Sequence, residues 1–326
     1  MDSLLDSNLN IGKLVLAKPI IYSPLAGCSD YPFRKIASYY RPGLMFCEMV
    51  KMEPLILRNP GTMKMLEYSE QMRPIGGQIC GSKLDLVAPA AKIIEDLGFD
   101  VVDLNCGCPV DKVTKDGSGS GLLKHPDQIG ELLMRMVAAV SIPVTVKIRV
   151  GWDEKSIVAS EVVKIAEQAG ASAIFVHGRT RQQAYKGPAN WDHIRECKKQ
   201  AKTIKVIGNG DVFSAQAALD MFAKTNCDGV LVSRGTMGQP WIVEDIERAM
   251  QGLAPLERDT EELKKALLDH LECSIQFKSE RGALIDMRKV CCWYLKNSFG
   301  ARQLRSAAST MESLPEIRTL IENYHD

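Results

Sequence analysis

The chain has 326 residues, 45% of them apolar and 25% charged, with a formal net charge of +1. This is the balance of an ordinary globular protein with a substantial core, and it excludes a disordered chain. No run approaches the roughly 20 apolar residues of a membrane helix, and the apolar run from Leu14 is broken by Lys18 and Pro19 without a signal-peptide layout, so a cytoplasmic protein with no membrane segment is expected.

Eight short β-rich runs follow in chain order: Lys18 to Ser23, Leu44 to Met49, Pro74 to Ile79, Asp100 to Asn105, Pro143 to Arg149, Ser172 to His177, Lys205 to Asn209 and Asp228 to Ser233. Between most of them apolar residues recur at helical spacing, in Leu84 to Leu97, Pro126 to Val140, Ile157 to Ala169 and Ala215 to Phe222, with Gly98 and Gly170 where C-terminal caps belong. Strand and helix alternating over about 240 residues predict a (β/α)8 TIM barrel, which typically needs about 250. A doubly wound open sheet is the alternative. From Thr260 to Tyr324 no strand pattern occurs, and helical stretches such as Glu261 to Lys278 and Ala283 to Asn297 predict a small all-helical C-terminal domain of about 75 residues. The boundary is expected near Gly252 to Arg258, which gives a barrel domain of residues 1–250 and a helical domain of residues 251–326.

In a barrel the chemistry lies at the C-terminal ends of the strands. Those positions are Ser23-Pro24-Leu25-Ala26-Gly27, Cys47-Glu48, Gln78, Asn105 with Cys108, Lys147 with Arg149, His177 with Arg179, Asn209-Gly210-Asp211 and Ser233-Arg234-Gly235. Along the fifth run Val144, Val146 and Ile148 point one way while Lys147 and Arg149 point the other, into the barrel. Unpaired buried cations cost several kcal/mol, so they require carboxylates or an anionic ligand. An ion pair would satisfy one lysine; two cations, with His177 on the next strand, favour a ligand. In barrels the loops after strands seven and eight often hold a phosphate on backbone N–H groups, and here they carry Gly210 and Gly235, with Arg234 adding charge. A phosphate clamp, a central lysine and the amides Gln78 and Asn105 suit a flavin mononucleotide. Lys147 would then offset the negative charge that develops at the flavin N1 and O2 edge on reduction.

Cys108 lies in Val101 to Leu123, where an apolar strand runs into a Gly- and Pro-containing loop that can hold a thiol still beside a ligand. An ordinary thiol titrates near about 8.5, so at neutral pH it can act as a general acid toward a carbon centre. Lys112 and Lys115 would instead favour a thiolate. A zinc site built from Cys80, Cys106 and Cys108 lacks a CxxC pair and a fourth ligand, and no metal is expected. The ten cysteines, scattered through a chain without export signals, read as reduced thiols.

The runs SPLAGCSDYPFR, GGQICG, DLNCGCPVDKV, VKIRVGW, FVHGRTRQQAYKG, GNGDVFS and SRGTMGQPW resemble the dihydrouridine synthases, flavoenzymes that reduce uridines in transfer RNA, in order and spacing from about Pro19 to the C-terminal helices. The resemblance implies FMN as cofactor, NADPH (or NADH) as electron donor in a separate half-reaction, and tRNA as partner, with no obligate protein partner indicated. It implies that Cys108 protonates C5 of the uracil while hydride reaches C6. It places Pro24, Leu25, Ala26, Gln78, Lys147, His177, Asn209, Gly210, Asp211, Ser233 and Arg234 at FMN-contacting positions, and Asn105 and Arg149 where the target uridine is held. Ser233 stands where the family usually carries glycine, and Leu25 and Cys28 also depart from the usual opening motif. The QQAYKG loop and the MRKVCCWYL helix are most similar to the bacterial B-type group, associated with position 17 of the D-loop. Arg281 to Arg305 holds six basic residues against Asp286 alone, suiting contact with RNA phosphates. Two other functions share parts of the pattern: a small-molecule reductase of the dihydroorotate or dihydropyrimidine type, and an RNA-binding protein that carries FMN without using it.

Overall fold

The computed structural model describes residues 8–297 and 300–325; residues 1–7 of the expected barrel domain and residues 298, 299 and 326 of the expected helical domain lie outside the described residues. Among the described residues eleven strands form in chain order: β1 (Leu9–Ile11), β2 (Leu14–Leu16), β3 (Ile20–Tyr22), β4 (Leu44–Phe46), β5 (Val50–Lys51), β6 (Ile75–Cys80), β7 (Val101–Cys106), β8 (Val144–Arg149), β9 (Ala173–His177), β10 (Lys205–Asn209) and β11 (Gly229–Val232). Strand β3 pairs with both β4 and β11, β4 also pairs with β6, and β6 through β11 pair in sequence. These pairings are all parallel, so eight strands close into a ring, which excludes the open-sheet topology. Their C-terminal ends share one rim.

The second barrel strand is interrupted: β4 pairs with the start of β6 (Met45 opposite Ile75) and β5 with its end (Val50 opposite Ile79). Between them Cys47 still donates its N–H to the Gly76 carbonyl at 3.0 Å, and the next residue, Glu48, accepts the Gly27 N–H at 2.5 Å. The interior is filled by Ile21, Leu44, Phe46, Phe175, Ile207 and Leu231, with Phe46 and Phe175 edge to face at 5.6 Å. The antiparallel hairpin β1–β2 adds buried Leu9, Ile11 and Leu16 to this interior cluster. A Cβ on Gly12 would meet Pro143 and Ser172, and one on Gly229 would meet Leu9, so the hairpin stoppers the end where the strands begin. This hairpin was absent from the predicted elements.

Around the barrel lie α1 (Tyr31–Ser38), α2 (Met52–Ile56), α3 (Pro60–Met65), α4 (Leu84–Asp96), α5 (Asp111–Thr114), α6 (Pro126–Ala139), α7 (Ala159–Gln168), α8 (Asp192–Gln200), α9 (Ala215–Thr225) and α10 (Ile242–Met250). Val144, Val146 and Ile148 pack outward against buried residues of this layer, among them Leu132, Leu133 and Val162. Gly98 and Gly170 adopt φ +84° and +85° just past α4 and α7, a left-handed conformation that glycine reaches without steric cost.

Four further helices follow among the described residues: α11 (Thr260–Phe277), α12 (Glu280–Tyr294), α13 (Ala301–Thr310) and α14 (Leu314–Glu322). The first opens on a capping box between Asp259 and Glu262. They form their own core, including Leu267, Leu271, Met287, Cys291 and Ile317, and Trp241 joins it from the end of the barrel. Two barrel loops hold this helical unit. On one side Tyr31 of α1 stacks on Phe277 at 4.4 Å, and Lys278 bridges Asp30, the N-cap of α1, to Asp286. On the other, Lys296 donates to the Met237 carbonyl at 3.0 Å, and Gly238 lies so close to α12 that a Cβ would stand 2.2 Å from the Trp293 carbonyl oxygen. Among the described residues no helix is long and apolar enough to cross a membrane.

Because Gly238 also has φ +74°, Gly238→Ala combines left-handed strain with a backbone clash. Urea unfolding is expected to show a loss of more than about 2 kcal/mol.

Candidate active site

At the shared rim the loops enclose a cavity of ≈ 400 Å³, within the usual range for small-molecule and cofactor sites. Pro24, Leu25 and Ala26 wall it from β3, Gln78 from β6, Asn105 and Cys108 from β7, and Lys147 and Arg149 from β8. His177 enters from β9, Asn209, Gly210 and Asp211 from β10, and Ser233 and Arg234 from β11. Every residue given a catalytic, cofactor or substrate role in the sequence thus lines one cavity, whereas Gly27, Cys47, Glu48 and Arg179 of the strand-end positions do not line it. Parallel strands bring them there, since each contributes the residues at and just beyond its C-terminal end.

The Cys108 loop is held from below by one side chain. Asn105 Oδ1 accepts the N–H groups of Gly107 at 3.1 Å and Cys108 at 2.9 Å, and Asn105 Nδ2 donates to Gln78 Oε1 at 2.8 Å. Gln78 Nε2 donates in turn to Asp103 Oδ2 at 2.7 Å, and Thr145 Oγ1 donates to Asp103 Oδ1 at 2.6 Å. From above, Ser120 donates to the Cys108 carbonyl through its N–H at 3.1 Å and its hydroxyl at 2.9 Å. The thiol is half-buried and faces the cavity. The cations that act on it are Lys147 and Arg149, whereas Lys112 and Lys115 are exposed.

Burial pulls the Lys147 ammonium down to about 8, with Arg149 adding repulsion and Asp103 and Cys108 opposing it. Its nearest partner is Asn209 Oδ1 at 3.3 Å, and Asn209 is oriented by donating to the Leu231 carbonyl at 2.7 Å and Ser233 Oγ at 3.0 Å. Arg149 behaves differently from the expectation that it awaits an anion. Its Nε donates to the Gly107 carbonyl at 2.9 Å, and its Nη1 to the carbonyls of Thr180 at 2.9 Å and Ala184 at 2.8 Å. Carbonyl oxygens thus satisfy most of its donors while leaving its charge in place, and no hydrogen bond among the described residues uses Nη2.

Arg179, named only as a strand-end residue beforehand, proves central. Buried at 3% exposure, its Nη2 contacts both oxygens of Asp211 at 2.8 Å. The Asp211 carboxylate also accepts the Ala189 N–H at 2.7 Å and lies 3.5 Å from Arg234. Its negative charge is therefore spent within the protein. Burial, reinforced by Lys147, Arg149, Arg179 and Arg234, drives the His177 pKa well below its usual range, so the ring is neutral at neutral pH. Arginine cannot accept a hydrogen bond, so the His177 Nε2 that faces Arg179 at 3.4 Å is the bare nitrogen and Nδ1 carries the proton. At the outer edge Tyr185 lies under the guanidinium groups of Arg149 and Arg234, at 5.7 and 4.8 Å, and Phe213 under Arg234 at 5.2 Å. Four cations here, Lys147, Arg149, Arg179 and Arg234, face two carboxylates, Asp103 and Asp211, a surplus of two positive charges. A phosphate monoester carries about −1.5 to −2 near neutral pH.

The far side of the cavity supplies donors of the kind a phosphate needs. The backbone N–H groups of Gly210, Arg234 and Gly235 have no partner among the described residues. Gly210 sits at φ +119°, where a Cβ would press on Ala189 and His177, and a Cβ on Gly235 would stand 2.1 Å from the Val212 carbonyl. Only glycine permits either turn. Among the described residues no group of three or more His, Cys, Asp or Glu is placed to hold a metal, and all ten cysteines are free thiols.

A family model described as Dihydrouridine synthase (Dus) matches residues 21–324. The chain is 37% identical over 317 residues to the probable tRNA-dihydrouridine synthase 1 of Synechocystis sp., covering 96% of this chain and 88% of that protein. It is 36% identical over 290 residues to tRNA-dihydrouridine synthase B of Pasteurella multocida, covering 88% and 87%. Among solved structures it is similar to TcOYE with pHBA, with a TM-score of 0.59 at 14% identity over 81% of this chain and 96% of that one, a likeness of fold.

The depressed Lys147 pKa fixes the sign of a stability test. Between about 8 and 10.5 the unfolded chain binds the proton that the folded protein has lost, so wild-type stability rises with pH across that window and the contribution is lost below it. Lys147→Met, studied in flavin-free protein, removes this titration. Its advantage over wild type is expected to be largest at pH 7 and to shrink by about 2–3 kcal/mol as the pH is raised to 10.5.

Proposed function

The chain belongs to the dihydrouridine synthase family, and from that premise we propose that it reduces specific uridines of tRNA to 5,6-dihydrouridine, with FMN seated in the rim cavity and NADPH (or NADH) as electron donor. The observation that carries this reading is a thiol held in the wall of a cavity whose far side combines a cationic surplus with uncommitted backbone N–H groups. Those groups fit an FMN phosphate at Gly210, Arg234 and Gly235, and the amides and Lys147 fit the polar edge of its ring. Pro24, Leu25, Ala26, His177, Asn209, Asp211 and Ser233 complete the pocket. Similarity to B-type relatives supports a target in the D-loop, at position 17.

When bound, FMN supplies the hydride that reaches C6 of the uracil. Cys108 Sγ–H delivers its proton to C5, and Lys147 and Arg149 stabilise the thiolate left behind until solvent reprotonates it. Asn105 and Arg149 hold the uridine, Asn105 through an amide that already anchors the catalytic loop and Arg149 through its free Nη2. Lys147 offsets the negative charge of the reduced cofactor.

A uridine in folded RNA must leave its stack to enter such a cavity, which requires a grip on the surrounding RNA. Residues 251–326 are proposed to contribute that grip. Of the six basic residues noted in the sequence, Lys296 is committed to the Met237 carbonyl, Arg288 to the Met311 carbonyl and Lys289 to Asp286. Arg281, Arg302 and Arg305 are exposed and remain for phosphates.

Cys108→Ala is expected to retain FMN and its reduction by NADPH while dihydrouridine formation falls by about 10²-fold or more, the cost of losing a general acid. Dihydrouridine mapping in tRNA incubated with the variant checks it, and undiminished product would refute the acid role. Reversing charge at Arg302 and Arg305 together is expected to raise the KM for tRNA about tenfold at low salt with little change in kcat, an effect that fades as salt rises.

A further inference from the structure

We propose that Asp103 is a positioning residue that sets the donor and acceptor sense of the cavity wall, and through it the seating of the Cys108 loop. This rests on the family reading for what the wall recognises, but the arrangement itself is internal to the chain. Asp103 is 1% exposed, and among the described residues its carboxylate hydrogen-bonds to Gln78 and Thr145 and not to the loop that carries Cys108. Its influence travels through two amides.

A carboxylate can only accept hydrogen bonds. Gln78 must therefore turn Nε2 toward Asp103, which leaves Oε1 facing Asn105, and Asn105 must then turn Nδ2 toward Gln78, which leaves Oδ1 facing the loop. At the other end stand two groups that can only donate, the N–H groups of Gly107 and Cys108, and both meet that oxygen. The two ends agree on a single direction. Reversing either amide would bring a donor against a donor or a carbonyl against a carboxylate in a buried setting, where unmatched polar groups are costly. Burial raises the Asp103 carboxyl to about 6, while Thr145, Gln78 and Lys147 oppose that shift, so the acceptor-only form prevails above neutrality. The charged and titratable groups that face it are Lys147 on β8 and Cys106 on β7.

The direction has a chemical consequence at the cavity. Gln78 and Asn105 both line it, and each amide nitrogen has a second N–H with no partner among the described residues. This stretch of wall therefore offers donors. It suits ring edges that present carbonyl oxygens, such as the C4 carbonyl of uracil, and opposes the amino group that cytosine carries at the same position.

The test compares Asp103→Asn and Asp103→Leu with wild type, using full-length protein and saturating FMN. Asparagine keeps the shape but can satisfy Thr145 and Gln78 in either orientation, and leucine removes the signal entirely. With whole tRNA, kcat is expected to fall about tenfold or more for Asp103→Asn and further for Asp103→Leu, while the tRNA KM stays within about twofold, as for a group that acts on the reacting geometry alone. Without RNA, alkylation of Cys108 by iodoacetamide, followed by peptide mass spectrometry, is expected to quicken about threefold or more as the loop loses its anchor. Should Asp103→Leu fail to fold, Asp103→Asn carries both measurements. Wild-type kcat and wild-type alkylation in Asp103→Asn would overturn the proposal. A wild-type enzyme that forms no dihydrouridine would instead defeat the family reading, and the alkylation rates would still decide whether Asp103 positions the loop.

Discussion

The crowding of positive charge at one rim governs this molecule. Lys147, Arg149, Arg179 and Arg234 come within each other's fields because strands β8, β9 and β11 are parallel and end at the same level. In a low-dielectric setting that arrangement is tolerable only when each charge is dressed by something else. The dressings differ. Arg149 is collared by backbone carbonyls, Arg179 is paired with Asp211, and Arg234 lies over aromatic faces. Lys147 has the least, a long contact with Asn209, and its depressed pKa records the deficit. His177 responds by remaining neutral. The site is thus held in a state that an anionic ligand relieves, the usual relation between local instability and function.

The helical unit shares in this arrangement more closely than a separate attachment would. It meets the loop after the first barrel strand through Asp30 and Tyr31, and the loop after the last through Met237 and Gly238. Both loops also wall the cavity. Whatever orients helices α11 and α12 therefore orients two edges of the pocket, and a basic residue such as Lys296, which in sequence reads as a surface contact for RNA, serves that join instead.

The barrel was legible because its strands are short apolar runs closed by turn residues, a signal that local sequence carries. The convergence of the rim residues was legible for the same reason, since parallel strands with helical crossovers leave one end for chemistry. What escaped is non-local. Asp103 reads as an alternating residue in a strand, and only its neighbours on β6 and β8 reveal it as the root of a hydrogen-bond chain. The carbonyl collar of Arg149 is built from residues 31 to 42 positions away, and backbone atoms leave no compositional trace. The hairpin β1–β2 is three residues per strand, too short for a periodic pattern. The break between β4 and β5 holds the Glu48 contact with Gly27, a pairing between loops that no run of residues announces.

The hairpin has one more implication. With Leu9, Ile11 and Leu16 filling the end where the strands begin, and Phe46 packed against Phe175 above them, the ring has a blind bottom. A group lodged beneath the rim is therefore open to approach from the rim side and closed to approach from below.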